Sequence, residues 1–221
     1  FEAPAGESIS LVAWTTTPWT LPGNVALAVK GDADYGIYEH EGEYLVVAVE
    51  LAEKVLGETA SHAATVKGDR LAGLTYEPLY RPESLGVEAM RFDGEGRLRR
   101  MPGDVDTTGL RRVITTDYVS LDDGTGIVHT ATAFGGEDFD AGKQYNLLFL
   151  QPVDLRGIMA NGLPGAGKFV KDADKDVIRD LEERGLLLKH GIIRHTYPFC
   201  WRCGTPLLYY AKPSWYIRTT K

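Results

Sequence analysis

Apolar and β-branched positions in this chain fall in short runs, not in long helical stripes. Ser8–Thr16 (SISLVAWTT) is one such run, and Pro18 closes it, so it reads as a strand. Val25–Val29 and Tyr44–Val49 read as further strands and Leu51–Leu56 as a short helix, while Val66, Leu71, Leu74 and Tyr76 lie in a mixed stretch of strand and turn. Residues 81–108 are rich in Gly, Arg and Pro, and read as a surface insertion with one strand near Glu88–Phe92. Arg112–Thr115 and Gly126–Thr130 read as strands around an Asp-Asp-Gly turn at 122–124. Glu137–Tyr145 is expected to be helical and Leu147–Pro152 a strand. Asp172 is placed to N-cap a helix over Ala173–Arg184, with Gly185 as its stop. Leu186–His195 and Pro206–Ala211 complete the expected strands. Many short strands and few helices imply an α+β fold, mostly β, with a β-barrel-like core decorated by short helices.

Composition narrows the class. The 221 residues are 43% hydrophobic and 25% charged, ordinary for one globular domain spanning 1–221. No apolar run approaches the ~18 residues needed to span a membrane, so no membrane partner is expected. The first residues, Phe1-Glu2-Ala3-Pro4, lack the basic-then-apolar pattern of a secretory leader and lack an initiator Met, which points to a cytoplasmic fragment of a longer protein. The formal net charge of −7 disfavours a grip on long nucleic acid and leaves room for a pocket that receives one terminal nucleotide. The two cysteines, Cys200 and Cys203, are too few for a disulfide framework.

Two segments carry candidate chemistry. One is Trp14-Thr15-Thr16-Thr17-Pro18-Trp19-Thr20-Leu21-Pro22-Gly23-Asn24. On a strand, Thr15 and Thr17 share a face and Thr16 takes the other, so two hydroxyls can line one wall. Trp19, just past the strand, is a packing residue or a surface for an adenine ring. The other segment is Gly124-Thr125-Gly126-Ile127-Val128-His129-Thr130-Ala131 with Phe134-Gly135-Gly136-Glu137-Asp138 following. Asp138 falls in the first turn of a predicted helix, where the helix dipole favours an ionised carboxylate. Such a carboxylate suits the α-ammonium of an aminoacyl group. The glycines allow backbone to approach a ligand closely. No Ser-His-Asp or Cys-His set is evident, which argues against a covalent intermediate.

Together these two segments resemble the threonine-rich strand and the G-x-G-x-x-H…D segment of the editing domains inserted in isoleucyl-, valyl- and leucyl-tRNA synthetases. Thr17 stands where the valine and leucine relatives usually carry Arg, so Thr17-Pro18-Trp19-Thr20 looks like the isoleucyl version. The resemblance extends through Asp172-Ala173-Asp174-Lys175 to Tyr197-Pro198-Phe199-Cys200-Trp201-Arg202-Cys203 and is weakest over 60–110. Thr132 and Phe134 depart from it, because relatives often have Pro and a small or polar residue there.

The resemblance implies hydrolysis of valine from mischarged tRNA(Ile), with valyl-adenylate a possible second substrate and isoleucine excluded by size. It implies His129, Asp138, Thr15 and Thr17 as catalytic-site residues. Asp138 would hold the amino group, and His129 would contact the aminoacyl or ribose part. Thr16, Trp19, Thr20, Gly126, Thr130 and Tyr197 would bind substrate. Residues 196–221 would lead back toward a parent catalytic body. The chain lacks the HIGH and KMSKS strings of the synthetic site, so it is not expected to activate isoleucine. Cys200 and Cys203 give half a zinc site, to be completed outside the chain; no cofactor is expected in the isolated, monomeric domain. Two alternatives remain: an editing domain of a valyl or leucyl relative, or a non-catalytic module that docks the tRNA acceptor end. Gly162–Lys168 matches G-x-x-x-x-G-K, but Phe169 stands where a phosphate loop needs Ser or Thr, so it reads as a surface turn.

Overall fold

The computed structural model describes residues 7–103, 106–191, 198–215, 217 and 219. Its strands are β1 (Ile9–Leu11), β2 (Ala26–Val29), β3 (Asp34–His40), β4 (Glu43–Ala48), β5 (Ser61–Lys67), β6 (Ala89–Phe92), β7 (Leu98–Arg100), β8 (Arg112–Thr115), β9 (Ile127–Thr130) and β10 (Leu148–Leu150). The α-helices are α1 (Ala52–Leu56), α2 (Gly68–Leu71), α3 (Gly136–Tyr145) and α4 (Val170–Glu183). The class is α+β with strands in the majority, as the hydrophobic pattern implies.

The strands form three sheets, ordered β1-β4-β3-β5, β10-β6-β7 and β8-β2-β9, and no closed barrel appears among the described residues. The first and last of these sheets meet at a corner. Beyond β1, Val12 N–H still donates to Val46 O on β4 (3.1 Å), but Trp14 N–H has moved over to Ile127 O on β9 (3.0 Å). A strand that leaves one sheet and enters the next is how barrel-like folds turn corners.

β2 is the central strand, and its side chains alternate between two cores. Leu27 and Val29 pack with Tyr35, Ile37, Val46 and Ile127; Ala26 and Ala28 pack with Ile114, Val119, Leu147 and Leu148. A strand buried on both faces needs a partner on both edges. β8 and β9 therefore flank β2, parallel and antiparallel respectively, and are not each other's hairpin partners as the Asp-Asp-Gly turn implied.

Other expectations are corrected. The run Ser8–Thr16 is a strand only over Ile9–Leu11, with an isolated bridge at Trp14. Pro18 bars the extended continuation and instead opens a 3-10 turn over Pro18–Gly23. β3 and β5 were not foreseen. Gly36 breaks the apolar pattern of β3 without breaking the strand, at a place where a Cβ would stand 2.3 Å from the Tyr38 ring, and β5 is a mostly exposed, polar edge strand. α4 begins at Val170, ahead of the expected start, because Val170 and Ala173 are both fully buried and pull the first turn into the core. Asp172 lies in that first turn and is not its cap. Residues 186–191 and 206–211 form no strand, and 192–195 lie outside the described residues. The second stretch is held by single contacts, among them Ala211 N–H to Ala133 O (2.7 Å) and Gln151 Nε2 to Ala211 O (2.9 Å).

Residues 81–108 are tied to the core by the pairing of β6 with β10 and by side-chain contacts. Phe92 packs edge-on against Phe139 and Phe149. Glu83 accepts from Arg111 Nη2 (3.0 Å) and from Thr107 Oγ1 (2.7 Å). Arg111 is 1% exposed, and its Nε also donates to Asn24 O (3.2 Å). Burial alone would raise the Glu83 pKa, but hydrogen bonds from Arg111 and Thr107 overcome it and hold the carboxyl below its usual range. Removing one partner of such a pair leaves a buried charge uncompensated, at a cost of about 3 kcal/mol. Arg111→Leu is expected to lower unfolding free energy by about that much in urea titrations. Arg111→Leu with Glu83→Leu should lose less than the sum of the single changes, and additive losses would show that the pair is uncoupled.

Candidate functional site

The threonine-rich segment is a folded turn and not a wall of strand. Thr17 N–H donates to Thr15 Oγ1 (3.1 Å), which bends the chain at the end of the Trp14 bridge. Thr15 and Thr17 are half-buried and Thr16 is exposed. Thr20 Oγ1 donates back to Thr17 O (2.7 Å) and lies 3.3 Å from Thr17 Oγ1. α4 anchors the turn from outside: Trp19 N–H donates to Asp174 Oδ1 (2.8 Å), and Leu21 packs on Val177 and Leu181.

His129, on β9, meets this turn from the core. Its Nε2 is 3.2 Å from Thr20 Oγ1 and its Nδ1 is 2.9 Å from Asn24 Nδ2. Burial lowers its pKa to about 4, and the contact with Thr20 offsets only part of that. His129 is thus a neutral, 7% exposed imidazole with both nitrogens engaged inside the protein. In the structure it is a clasp between segments. Asn24 in turn donates from Nδ2 to Ala26 O (2.9 Å) and accepts at Oδ1 from the Tyr76 hydroxyl. Thr17, Thr20, Asn24, Tyr76 and His129 form one continuous hydrogen-bonded chain.

Asp138 stands beside the other end of this clasp. Its Oδ2 accepts from Ala131 N–H (3.0 Å), two residues past His129. Burial raises its pKa to about 6; the Ala131 hydrogen bond works against this, and Glu137 adds a smaller raising effect. The helix dipole, worth about 0.3–1 kcal/mol, favours the ionised form; burial is the larger effect on the pKa, yet the acid stays ionised near neutral pH. Tyr118 is close enough that the Asp138 charge adds to the rise in its phenol pKa, although burial is the chief cause. The Tyr118 hydroxyl lies 3.4 Å from Thr130 Oγ1, a fully buried group.

The remaining expected residues fall apart from this chain. Trp19 is 3% exposed and packs edge-on against Phe134 (4.9 Å between ring centroids), so its face is closed to a base. Gly126 is required by packing: its φ is +75°, and a Cβ would stand 2.4 Å from Ala48 Cβ. Tyr197 lies outside the described residues. Cys200 and Cys203 sit on an exposed turn, with Cys203 Sγ 3.0 Å from Thr205 Oγ1. Two thiols are half of a tetrahedral zinc set, and no cluster of three metal-ligating side chains occurs among the described residues. In Gly162–Lys168, Lys168 is tied to Asp176 Oδ2 (2.7 Å). Asn24, Tyr76, Tyr118 and Arg111 were missed. Asn24 stood inside the quoted motif, whereas nothing in the local pattern marks Tyr76.

Comparison with known proteins places this geometry. No protein-family model matches the chain. An isoleucine–tRNA ligase of Dehalococcoides mccartyi is 47% identical over 224 residues, covering 98% of this chain and 21% of the relative. Those of Methanothermobacter thermautotrophicus (44%, covering 99% of this chain and 19% of the relative) and Thermus thermophilus (42%, covering 97% and 18%) align along it in the same way. The chain therefore spans about a fifth of the length of the curated relatives it matches. Among solved structures, the leucyl-tRNA synthetase segment GlLeuRS-CP1 superposes with a TM-score of 0.62 at 15% identity, covering 87% of this chain and 86% of that one. The Plasmodium knowlesi cytosolic leucyl-tRNA synthetase editing domain superposes at 0.52 and 10% identity, covering 93% and 85%. By its sequence the chain belongs to the isoleucyl-tRNA synthetase family, as the segment that carries the editing-domain fold.

Proposed function

We propose that this domain hydrolyses the ester between valine and the terminal adenosine of tRNA(Ile), with valyl-adenylate as a second substrate. The observation that carries the reading is Asp138: a largely buried acid with a pKa of about 6, at the end of the strand that holds the His129–Thr20–Thr17 chain. Near neutral pH it is ionised but poorly solvated, which is the state that gains most from an incoming α-ammonium.

The need for a second site follows from transfer energies. Valine lacks one methylene of isoleucine, and burying a CH₂ gives about 0.8 kcal/mol, roughly a fourfold preference. A site that admits valine and clashes with isoleucine discriminates by exclusion. The protein's part is orientation and charge placement. Water adds to the ester carbonyl, the acyl–oxygen bond breaks, and the proton ends on the departing ribose oxygen, assisted by the neighbouring ribose hydroxyl. His129, held neutral with both nitrogens occupied, does not serve as the base in this scheme. Thr15 and Thr17 line the carbonyl side, and Thr130 with Tyr118 lies on the Asp138 side. The domain is proposed to act as a monomer beside a parent synthetase body in the cytoplasm. The exposed apolar surface of Trp201, Tyr209 and Trp215 fits packing against such a body, and the zinc half-site would be completed there. No helix among the described residues is long and apolar enough to cross a membrane.

The test is deacylation of valyl-tRNA(Ile) and isoleucyl-tRNA(Ile) by the purified chain. Valyl-tRNA should be hydrolysed and isoleucyl-tRNA spared; binding without hydrolysis would make the chain a docking module. Asp138→Asn should lower kcat/KM for valyl-tRNA by a factor of about 100, the size of a lost charge-assisted contact. The wild-type rate should rise with pH through about 6 as Asp138 ionises, and Asp138→Asn should lack that limb. Stability should move the other way. A pKa raised from 3.8 to about 6 disfavours the folded state above pH 6, so Asp138→Asn should stabilise the domain at pH 7.5 by about 3 kcal/mol and leave it unchanged near pH 3.

A further inference from the structure

We infer that Tyr76 is a positioning residue: acting through Asn24, it fixes the His129 imidazole as its Nε2–H tautomer and thereby leaves the Thr17 hydroxyl as a lone-pair acceptor facing the proposed pocket. The tautomer assignment rests on geometry alone, and only the consequence for Thr17 rests on the proposed function.

The assignment begins at Ala26 O. A carbonyl can face only the NH₂ end of the Asn24 amide, so the Asn24 Nδ2 at 2.9 Å from it is the nitrogen. That nitrogen has two hydrogens. One goes to Ala26 O and the other points along the 2.9 Å contact to His129 Nδ1, which must therefore be the lone pair. A neutral imidazole carries its one hydrogen on the remaining nitrogen, Nε2, and this faces Thr20 Oγ1 at 3.2 Å. Thr20 commits its own hydrogen to Thr17 O at 2.7 Å. Thr17 Oγ1, 3.3 Å from Thr20 Oγ1, can then only donate to it. The lone pairs of Thr17 Oγ1 are left for whatever enters beside it: a water, a ribose hydroxyl or an ammonium.

Tyr76 reinforces this polarity from the other end of the amide. Its hydroxyl closes the Asn24 Oδ1 end of the amide, so neither end of Asn24 is idle. Burial holds its phenol well above the ordinary pKa despite nearby Arg111, so it remains a donor. Arg111 Nε fixes the Asn24 backbone from the same side (3.2 Å to Asn24 O). Tyr76 and Arg111 also line a cleft of about 270 Å³ with Thr75, Arg81 and Thr108, and Thr17 is not among its lining residues. Three hydrogen bonds thus lead from this cleft to Thr20 in one sense, Tyr76 to Asn24, Asn24 to His129 and His129 to Thr20, and the Thr17 hydroxyl donates into Thr20 from the other side.

The tautomer is read directly from long-range ¹H–¹⁵N spectra of the histidine-labelled chain, without substrate. The chain has only five histidines, and His129→Gln identifies the signal. Wild type should show the Nε2–H pattern at pH 7; an Nδ1–H pattern overturns the inference. Asn24→Asp presents only acceptors to Nδ1 and should switch His129 to an Nδ1–H or doubly protonated form; retention of a pure Nε2–H form also overturns it. Tyr76→Phe should yield a second, Nδ1–H population and lower valyl-tRNA deacylation about tenfold, chiefly in kcat. An unchanged single tautomer in Tyr76→Phe removes Tyr76 from the chain. Because the spectra need no substrate, a failure of hydrolysis would sink the proposed function while leaving the tautomer result to decide the relay.

Discussion

A buried imidazole must have both nitrogens paired, or its burial costs more than the packing returns. His129 meets that demand with groups from two other segments: Thr20 in the turn after β1, and Asn24 at the entrance to β2. β9 pairs with β2 so that His129 stands opposite Leu27. A slip of one residue would turn His129 to the opposite face of the sheet, away from both partners. The register of the central sheet and the shape of the threonine turn are therefore set by the same side chain. Asn24 extends the constraint, since its backbone carbonyl takes Arg111 and Arg111 takes Glu83. The threonine turn, the central sheet and the segment from residue 81 are held by one polar network that crosses otherwise apolar cores.

The two titrating groups of the region are displaced in opposite ways by the same cause. Burial disfavours charge, so it lowers the histidine to about 4 and raises the aspartic acid to about 6. For His129, the folded pKa lies below the ordinary value of 6.5, so its contribution to stability is complete above that pH and falls away as the pH drops toward 4. For Asp138 the folded pKa lies above 3.8, so acidification from 6 toward 4 relieves its charge and favours the fold. The two contributions are of similar size and nearly cancel between pH 4 and 6. The region tolerates two buried ionisable groups without an acid-labile fold, although neither forms an ion pair among the described residues.

The parts of the fold that were legible in the sequence were those whose signal is local. β2, β4, α1, α3 and β10 each carry a dense apolar run or an amphipathic turn of their own. β3 and β5 carry Gly36, charged ends and an exposed polar face, so their strand character comes from pairing with each other and with β4 and is invisible to a local pattern. The site divides in the same way. His129 and Asp138 could be picked out because glycines and a helix start surround them, but their roles depended on burial, which a sequence does not print. Thr15 and Thr17 alternate in burial with Thr16 as the alternation argument expects, but the regular strand ends at Leu11 and the turn that follows was not legible. Tyr76 reaches Asn24 across 52 positions of chain, and no local rule anticipates a hydroxyl at that distance.

The electrostatics of the whole chain bear on how such a pocket can work. A net charge of −7 repels a polyphosphate backbone and attracts an ammonium group. Under the proposed reading, those two effects separate the ends of the substrate: the amino acid is drawn toward Asp138, while the acceptor stem is not held by this surface. Affinity for the nucleic acid would then come from the rest of a synthetase, of which this chain matches about a fifth. An acid that is ionised but starved of solvent suits that division. It adds little attraction at long range, where the whole surface already supplies it, and most of its gain appears only when a cation displaces the last water. Selectivity would thus be settled at the final contact, where one methylene decides whether the amino group can reach the carboxylate at all.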